Sequence, residues 1–295
     1  MPQTKSQIQQ MLTAADAAPR HRFGQNFMID GNLVRAVAAA GRVQPGDTVI
    51  EVGPGTGTLT DELLASPAGR VVAVEIDHGL ARLLRERFAG NGRFHLIEGD
   101  ALAGKHELNP ELLAVLAASP DRSPAPCRLV ANLPYNIASP LVIELLRAGV
   151  DTLAFTVQKE VADRLKSTGG EGYGPLSVMA NLLAEVEVLR TLPPQAFWPA
   201  PKIDSALVRM TRRNPLGEPL AERSAAVGRF VAGLFSARRK TLRKAMEVAG
   251  IAPAAAAAAL ANTGVDPTAR PETLPPPALL RLFDAVAAMP RSRTN

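Results

Sequence analysis

Thr48-Val-Ile-Glu-Val-Gly-Pro-Gly-Thr-Gly57 is the stretch on which the fold turns. Its first five residues read as a buried strand, and Leu59, Leu63 and Leu64 beyond it mark a helix. Between them lies a turn in which Gly53, Gly55 and Gly57 let the backbone approach a ligand closely. Strand, glycine turn and helix in succession is the arrangement used for nucleotide-type cofactors. The spacing is Gly-x-Gly-x-Gly, without the longer dinucleotide interval, and Glu51 precedes the first glycine by two residues. That variant favours S-adenosylmethionine over a pyrophosphate cofactor. An ammonium and a sulfonium call for acidic and carbonyl acceptors, and no phosphate cradle is needed.

Downstream, Val71-Val-Ala-Val-Glu75 reads as the next strand, with Glu75 at its end, 18 residues after Gly57, where an acid accepts both ribose hydroxyls. Phe94 to Ile97 is a third strand, followed by Gly99-Asp100. Asp100 is placed to accept from the cofactor's adenine amino group, and a simple turn aspartate also fits that position. Strands alternating with helices predict an α/β fold: a Rossmann-like methyltransferase sheet with helices on both faces.

A fourth strand, from Arg128, feeds Asn132-Leu133-Pro134-Tyr135, and Ser139-Pro140 suits a helix start. Strand-to-helix loops are where such enzymes place their chemistry. Asn132 offers an amide oxygen, Pro134 stiffens the backbone and Tyr135 offers a flat face. The set suits a planar base with an exocyclic amine, held by Asn132 and a carbonyl of Leu133 or Pro134 and stacked on Tyr135. Leu153 to Val157 is a fifth strand, and Pro175 opens an apolar helix. Val186–Leu192 and Ser205–Met210 read as an antiparallel pair, joined by a proline-rich stretch bearing Phe197, Trp198 and Lys202. Either that stretch sandwiches a base through Phe197, opposite Tyr135, or it is a rigid connection with Phe197 and Trp198 packed on the sheet.

Three domains are expected: a flexible tail over 1–19, a methyltransferase domain over 20–213, and a small all-α domain over 214–295 after the Asn214-Pro215 and Gly217 linker. Arg20-His-Arg-Phe-Gly-Gln-Asn-Phe-Met28 suits a loop closing over a ligand, or a surface loop tucked in by Phe23 and Phe27. The net charge of +5 is unevenly spread. Residues 1–210 carry 20 basic against 22 acidic side chains, and 211–295 carry 13 against 6. Arg238, Arg239, Lys240, Arg243 and Lys244 lie in one short run, in which 239/243 and 240/244 would share a helix face and grip phosphates. One cysteine, Cys127, excludes an intrachain disulfide and fits a reducing cytoplasm. The four histidines lack ligand spacing, so no metal is expected. No apolar run reaches the ~18 residues of a membrane span, and the start lacks the apolar core of a secretory signal.

Gln25-Asn-Phe-Met28, Glu51 to Gly57, Val74-Glu-Ile-Asp77, Glu98-Gly-Asp100, Asn132-Leu-Pro-Tyr-Asn136, Gln158-Lys-Glu160, Tyr173 to Met179 and Phe197 to Ser205 follow in order. Together they resemble the ribosomal RNA adenine dimethyltransferases of the KsgA/RsmA type, over residues ~20 to ~250. The resemblance implies N6-dimethylation of two adjacent adenines in a loop near the 3′ end of small-subunit (16S) ribosomal RNA. It also implies a role in ribosome biogenesis and cofactor contacts from Asn26, Met28, Gly53, Glu75, Asp100 and Asn132; apart from the resemblance, a monomer is expected. Ala131 stands where many relatives have Gly, and Met28 where Leu is usual. A methyltransferase of large-subunit RNA and a non-catalytic assembly factor on the same fold are the rival readings. The intact glycines, Glu75, Asp100 and Asn132–Tyr135 speak against the second.

Overall fold

The computed structural model describes residues 3–15, 25–104, 106–117, 126–217 and 220–289. The first part (20–24) of the expected loop at 20–28, both ends of the expected tail (1–2 and 16–19), residues 105, 118–125 and 218–219, and the last residues (290–295) lie outside that set. The chain divides into two compact units, Met1–Ala162 with Glu185–Arg212, and Asp163–Ala184 with Arg213–Asn295.

The first unit runs α1 (Lys5–Ala14), β1 (Phe27–Met28), α2 (Gly31–Ala40), β2 (Thr48–Val52), α3 (Thr58–Ala65), β3 (Arg70–Glu75) and α4 (His78–Arg87). It continues with β4 (Phe94–Glu98), a small hairpin of β5 (Leu102–Gly104) and β6 (Glu107–Leu108), α5 (Pro110–Leu116), β7 (Cys127–Asn132), α6 (Ala138–Arg147) and β8 (Thr152–Gln158). The chain passes into the second unit within α7 (Lys159–Lys166), forms α8 (Pro175–Leu183), and returns as β9 (Ala184–Leu192), β10 (Phe197–Trp198) and β11 (Ser205–Arg212). One seven-stranded sheet has the order β4-β3-β2-β7-β8-β11-β9. Its first five strands are parallel and β11 is antiparallel to β8. β8 is buried from Thr152 to Val157, as expected of a strand covered on both faces. The strand order reverses between β2 and β7, so the loops after these two strands flank the topological switch point, where open α/β sheets bind their ligands.

The first helix departs from the expected flexible tail. Thr4 and Gln7 close a capping box, and Ile8 and Leu12, one turn apart, are buried against Phe27 and Leu80. Two apolar residues are too short a stripe to stand out in the sequence. α6 also begins at Ala138, two residues ahead of the expected Ser139-Pro140 start.

The second unit is helical: α8 with α9 (Leu220–Ser236), α10 (Leu242–Val248), α11 (Pro253–Thr263) and α12 (Pro276–Ala287). It includes 163–184, which the sequence reading kept with the sheet. The cause is local packing. The Tyr173 hydroxyl donates to the Leu274 carbonyl at 2.8 Å, its ring meets Phe235 edge-on at 5.7 Å, and α8 is buried over most of its surface. The basic run does not form one helix face. α9 ends at Ser236, a turn holds 237–240, and Thr241 caps a new helix. Arg239 and Lys240 therefore lie on the turn, and Arg243 and Lys244 on α10, all of them exposed. Among the described residues no helix is long and apolar enough to cross a membrane.

Candidate active site

The C-terminal ends of β2, β3 and β7 open into a cleft of about 950 Å³, counting its mouth. Asn26, Met28, Gly53, Gly55, Glu75, Asp100, Asn132, Leu133, Pro134 and Tyr135 all line it. Residues spread over more than a hundred positions thus meet because β2 and β7 are neighbours in the sheet.

The glycine loop forms one wall. Gly55 has φ +60°, and a Cβ there would stand 2.8 Å from Cε1 of Phe27. At Gly53 a Cβ would come within 3.2 Å of the Pro134 ring. These glycines are thus required by close approach as well as by backbone angle. Gly57 is not part of the cleft wall. It caps α3, with Phe88 against its Cα face.

Two buried carboxyls serve this wall. Glu75 accepts from Gly55 N–H at 3.2 Å and Asp77 N–H at 2.9 Å, and burial pushes its pKa to about 7 against that support. Glu51 accepts from the Thr60 hydroxyl at 2.6 Å, and burial raises it to about 8. Asp100 holds its turn by accepting from Leu102 N–H at 3.0 Å and is exposed at the cleft edge. The Thr58 hydroxyl, on the same wall, is a buried group with no partner among the described residues. Acceptors, a glycine cradle and one unsatisfied hydroxyl fit a cationic amino-acid nucleoside. Among the described residues no cluster suited to a metal ion exists.

Asn132 stands between the two functional loops. Its Nδ2 donates to the Asn26 carbonyl at 2.6 Å, and its Oδ1 accepts from the Thr156 hydroxyl. Tyr135 is half-buried, and its hydroxyl shares a hydrogen bond of 2.7 Å with Ser205. Burial raises the phenol above its ordinary pKa, so it stays neutral.

Phe197 does not serve as a stacking face. It is 2% exposed, sits in the hydrophobic core and is absent from the cleft wall. Its strand pairs with β1, Phe27 opposite Trp198 and Met28 opposite Phe197, and the Phe27 and Trp198 rings stack at 6.3 Å. The packed reading of this aromatic pair is the one observed. Its effect is to hold Asn26 where its carbonyl meets Asn132.

The sequence reading missed two braces of the glycine loop. The Thr56 carbonyl accepts from Gln3 Nε2 at 3.2 Å and from Arg87, and the Thr56 hydroxyl donates to Gln3 at 2.6 Å. Arg87 also pairs with Asp61. No motif spacing announces these contacts, because they join residues through the fold alone.

Comparison with known proteins follows the same lines. The family model for ribosomal RNA adenine dimethylase matches residues 17–288. The chain is 40% identical over 260 residues to ribosomal RNA small subunit methyltransferase A of Moorella thermoacetica, covering 87% of this chain and 88% of that protein. It is 42% identical over 277 residues to the protein of the same name from Streptomyces coelicolor, covering 90% and 91%. Among solved structures, the 23S rRNA methyltransferase ErmE has a TM-score of 0.62 at 30% identity, covering 89% of this chain and all of that one. A dimethyladenosine transferase from Plasmodium falciparum has a TM-score of 0.68 at 22% identity over 88% and 98% of the two chains, a likeness of fold.

Proposed function

The chain belongs to the ribosomal RNA adenine dimethylase family, and from that premise we propose that it dimethylates N6 of two adjacent adenines in a loop near the 3′ end of small-subunit ribosomal RNA. The observation that carries this reading is the position of Asn132. It shares one cleft with the glycine loop and Glu75, with its amide held by Asn26 and Thr156. The small-subunit substrate is favoured over the large-subunit one by identity, 40–42% to the relatives named for the small subunit against 30% to ErmE.

S-adenosylmethionine supplies an electrophilic methyl group when bound. Glu75 would hold the ribose hydroxyls, Asp100 the adenine amine, and the wall of Gly53, Gly55 and Glu51 the cationic amino-acid end. Asn26 and Met28 complete the pocket. The substrate adenine N6 is a weak nucleophile because its lone pair is delocalised into the ring. Asn132 Oδ1 has two lone pairs, and only one is taken by Thr156. The other would accept one N6 hydrogen. A carbonyl of Leu133 or Pro134 would accept the second; the Pro134 carbonyl takes one hydrogen from Ile137 N–H at 3.2 Å and keeps a second lone pair. With both hydrogens held, the nitrogen is drawn toward the pyramidal geometry of attack, and positioning supplies most of the rate. Tyr135 would stack on the base and offset part of the cost of unstacking it from the RNA.

Unmethylated small subunits, large subunits and naked RNA, each supplied with labelled cofactor, test the reading. Label is expected as N6,N6-dimethyladenosine in small-subunit RNA alone. Label in large-subunit RNA would overturn the substrate, and cofactor binding without transfer would turn the reading to an assembly factor.

Glu75 makes cofactor binding depend on pH. In the free protein its carboxyl sits at about 7. Hydroxyls donating to the carboxylate favour the ionised form, so binding releases a proton. Affinity should rise as pH climbs from about 6 to about 8, by up to about tenfold per unit, and Glu75→Gln should flatten the dependence. Calorimetry in two buffers of different ionisation enthalpy counts the proton. Stability runs the other way. The folded carboxyl is raised above its ordinary value of 4.5, so the free protein loses up to about 3 kcal/mol as pH rises from about 4.5 to about 7, and nothing further above that.

The exposed cations of the second unit are proposed to hold RNA phosphates. Converting Arg238, Arg239 and Lys240 to glutamine should flatten the salt dependence of RNA binding by up to about three log units per log of salt and leave cofactor affinity unchanged. An unaltered slope would remove this patch from the interface.

A further inference from the structure

Among the described residues, Thr156 is the buried hydroxyl that touches the group assigned to the substrate amine. It lies fully buried on β8, and in the parallel register of β7 and β8 it stands directly opposite Asn132. A buried hydroxyl in an apolar strand must find a partner, and this one donates to Asn132 Oδ1.

A side-chain amide can be turned two ways, and its surroundings decide which. The Asn26 carbonyl only accepts, so the nitrogen of Asn132 has to face it, as it does at 2.6 Å. Oδ1 then faces Thr156, whose hydroxyl is free to act as donor. The two contacts act on opposite ends of the amide and together fix its rotation. One end is tied to β1 through Asn26 and the other to β8 through Thr156. With either tie removed, one hydrogen bond no longer defines the plane.

We propose that Thr156 is a positioning residue for methyl transfer: it orients the Asn132 carbonyl so that its second lone pair faces the substrate amine. The inference rests on Asn132 being the acceptor for that amine. Thr156 itself touches neither base nor cofactor. Its neighbours on β8 explain why threonine serves here. A β-branched side chain suits the strand and differs from valine only in the hydroxyl.

The test compares Thr156→Val with Thr156→Ser. Single-turnover methyl transfer is measured at saturating cofactor and small subunits, together with cofactor Kd and thermal unfolding. Valine keeps the shape and removes the donor, and serine keeps the donor. The valine variant is expected to transfer on the order of ten- to a hundredfold more slowly, with cofactor Kd within about twofold of wild type. The serine variant should recover most of the rate. A merely structural role would lower unfolding temperature and cofactor affinity in step with rate, and would show no rescue by serine. That pattern overturns the proposal, as does a valine variant as fast as wild type. Wild-type protein that binds cofactor and transfers nothing under the same conditions brings down the reading of the enzyme itself, and the role of Thr156 with it.

Discussion

Asn132→Ala is expected to slow methyl transfer by about a thousandfold or more while RNA binding persists. The side chain removed is the sole amide in the Asn132–Tyr135 loop that has a defined orientation in the cleft, tied to Asn26 and Thr156. Without it one N6 hydrogen is left without its acceptor, and the nitrogen lone pair stays in the ring. The loss should fall on the chemical step. Single-turnover rates at saturating substrate would collapse, and retention of small subunits on a filter would change little. The cofactor pocket keeps its glycine wall and Glu75, so binding of S-adenosylmethionine should weaken far less than turnover. A variant that transfers at near wild-type rate would show that the amide is not the acceptor. Asn132→Asp is a sharper probe. A carboxylate there would face the Asn26 carbonyl oxygen with no hydrogen to give, so the local geometry is lost although the size is kept.

The second large effect belongs to Gly55→Ala, which should weaken cofactor binding about a hundredfold. Two costs add. At φ +60° any side chain is strained by about 1 kcal/mol or more, and the new methyl would lie 2.8 Å from the Phe27 ring. Phe27 cannot simply withdraw. It is buried against Ile8, Leu12 and Leu80 and paired through β1 with Trp198. The loop must shift instead, and with it the Gly55 N–H that supports Glu75 at 3.2 Å. Gly90→Ala is the control. Gly90 also has positive φ, at +82°, but nothing lies within 4 Å of a Cβ there. It should lose a comparable strain energy in unfolding measurements and keep cofactor affinity. If Gly55→Ala binds as tightly as Gly90→Ala, the cradle does not depend on close approach at Gly55.

Much of the site was legible because its parts are local. The glycines, Glu75, Asp100 and Asn132 each sit at the end of an apolar strand, where chain order alone places them on one edge of a parallel sheet. The aromatic Phe197 was ambiguous for a physical reason. A proline-rich loop bearing aromatics looks the same in sequence whether the rings face a ligand or the core, and only the pairing of β10 with β1 turned Phe197 inward. The run from Arg238 to Lys244 misled as a single helix because its spacing is helical. Thr241, a good cap, was the sign of a break within it. The helix at 5–14 lacked a long apolar stripe, and its stability comes from burial of Ile8 and Leu12.

By itself, then, the sequence determined the α/β architecture, the cofactor class and the loop that carries the chemistry. Those depend on hydrophobic period, on glycine spacing and on which residue follows which strand, and all of these are short-range properties of the chain. Tertiary structure alone decided how Asn132 is oriented, which aromatic is buried, and that Gln3 and Arg87 brace the glycine loop. Each of these rests on hydrogen bonds or packing between residues far apart in the chain. Their partners are chosen by strand register and layer packing, which no local pattern encodes.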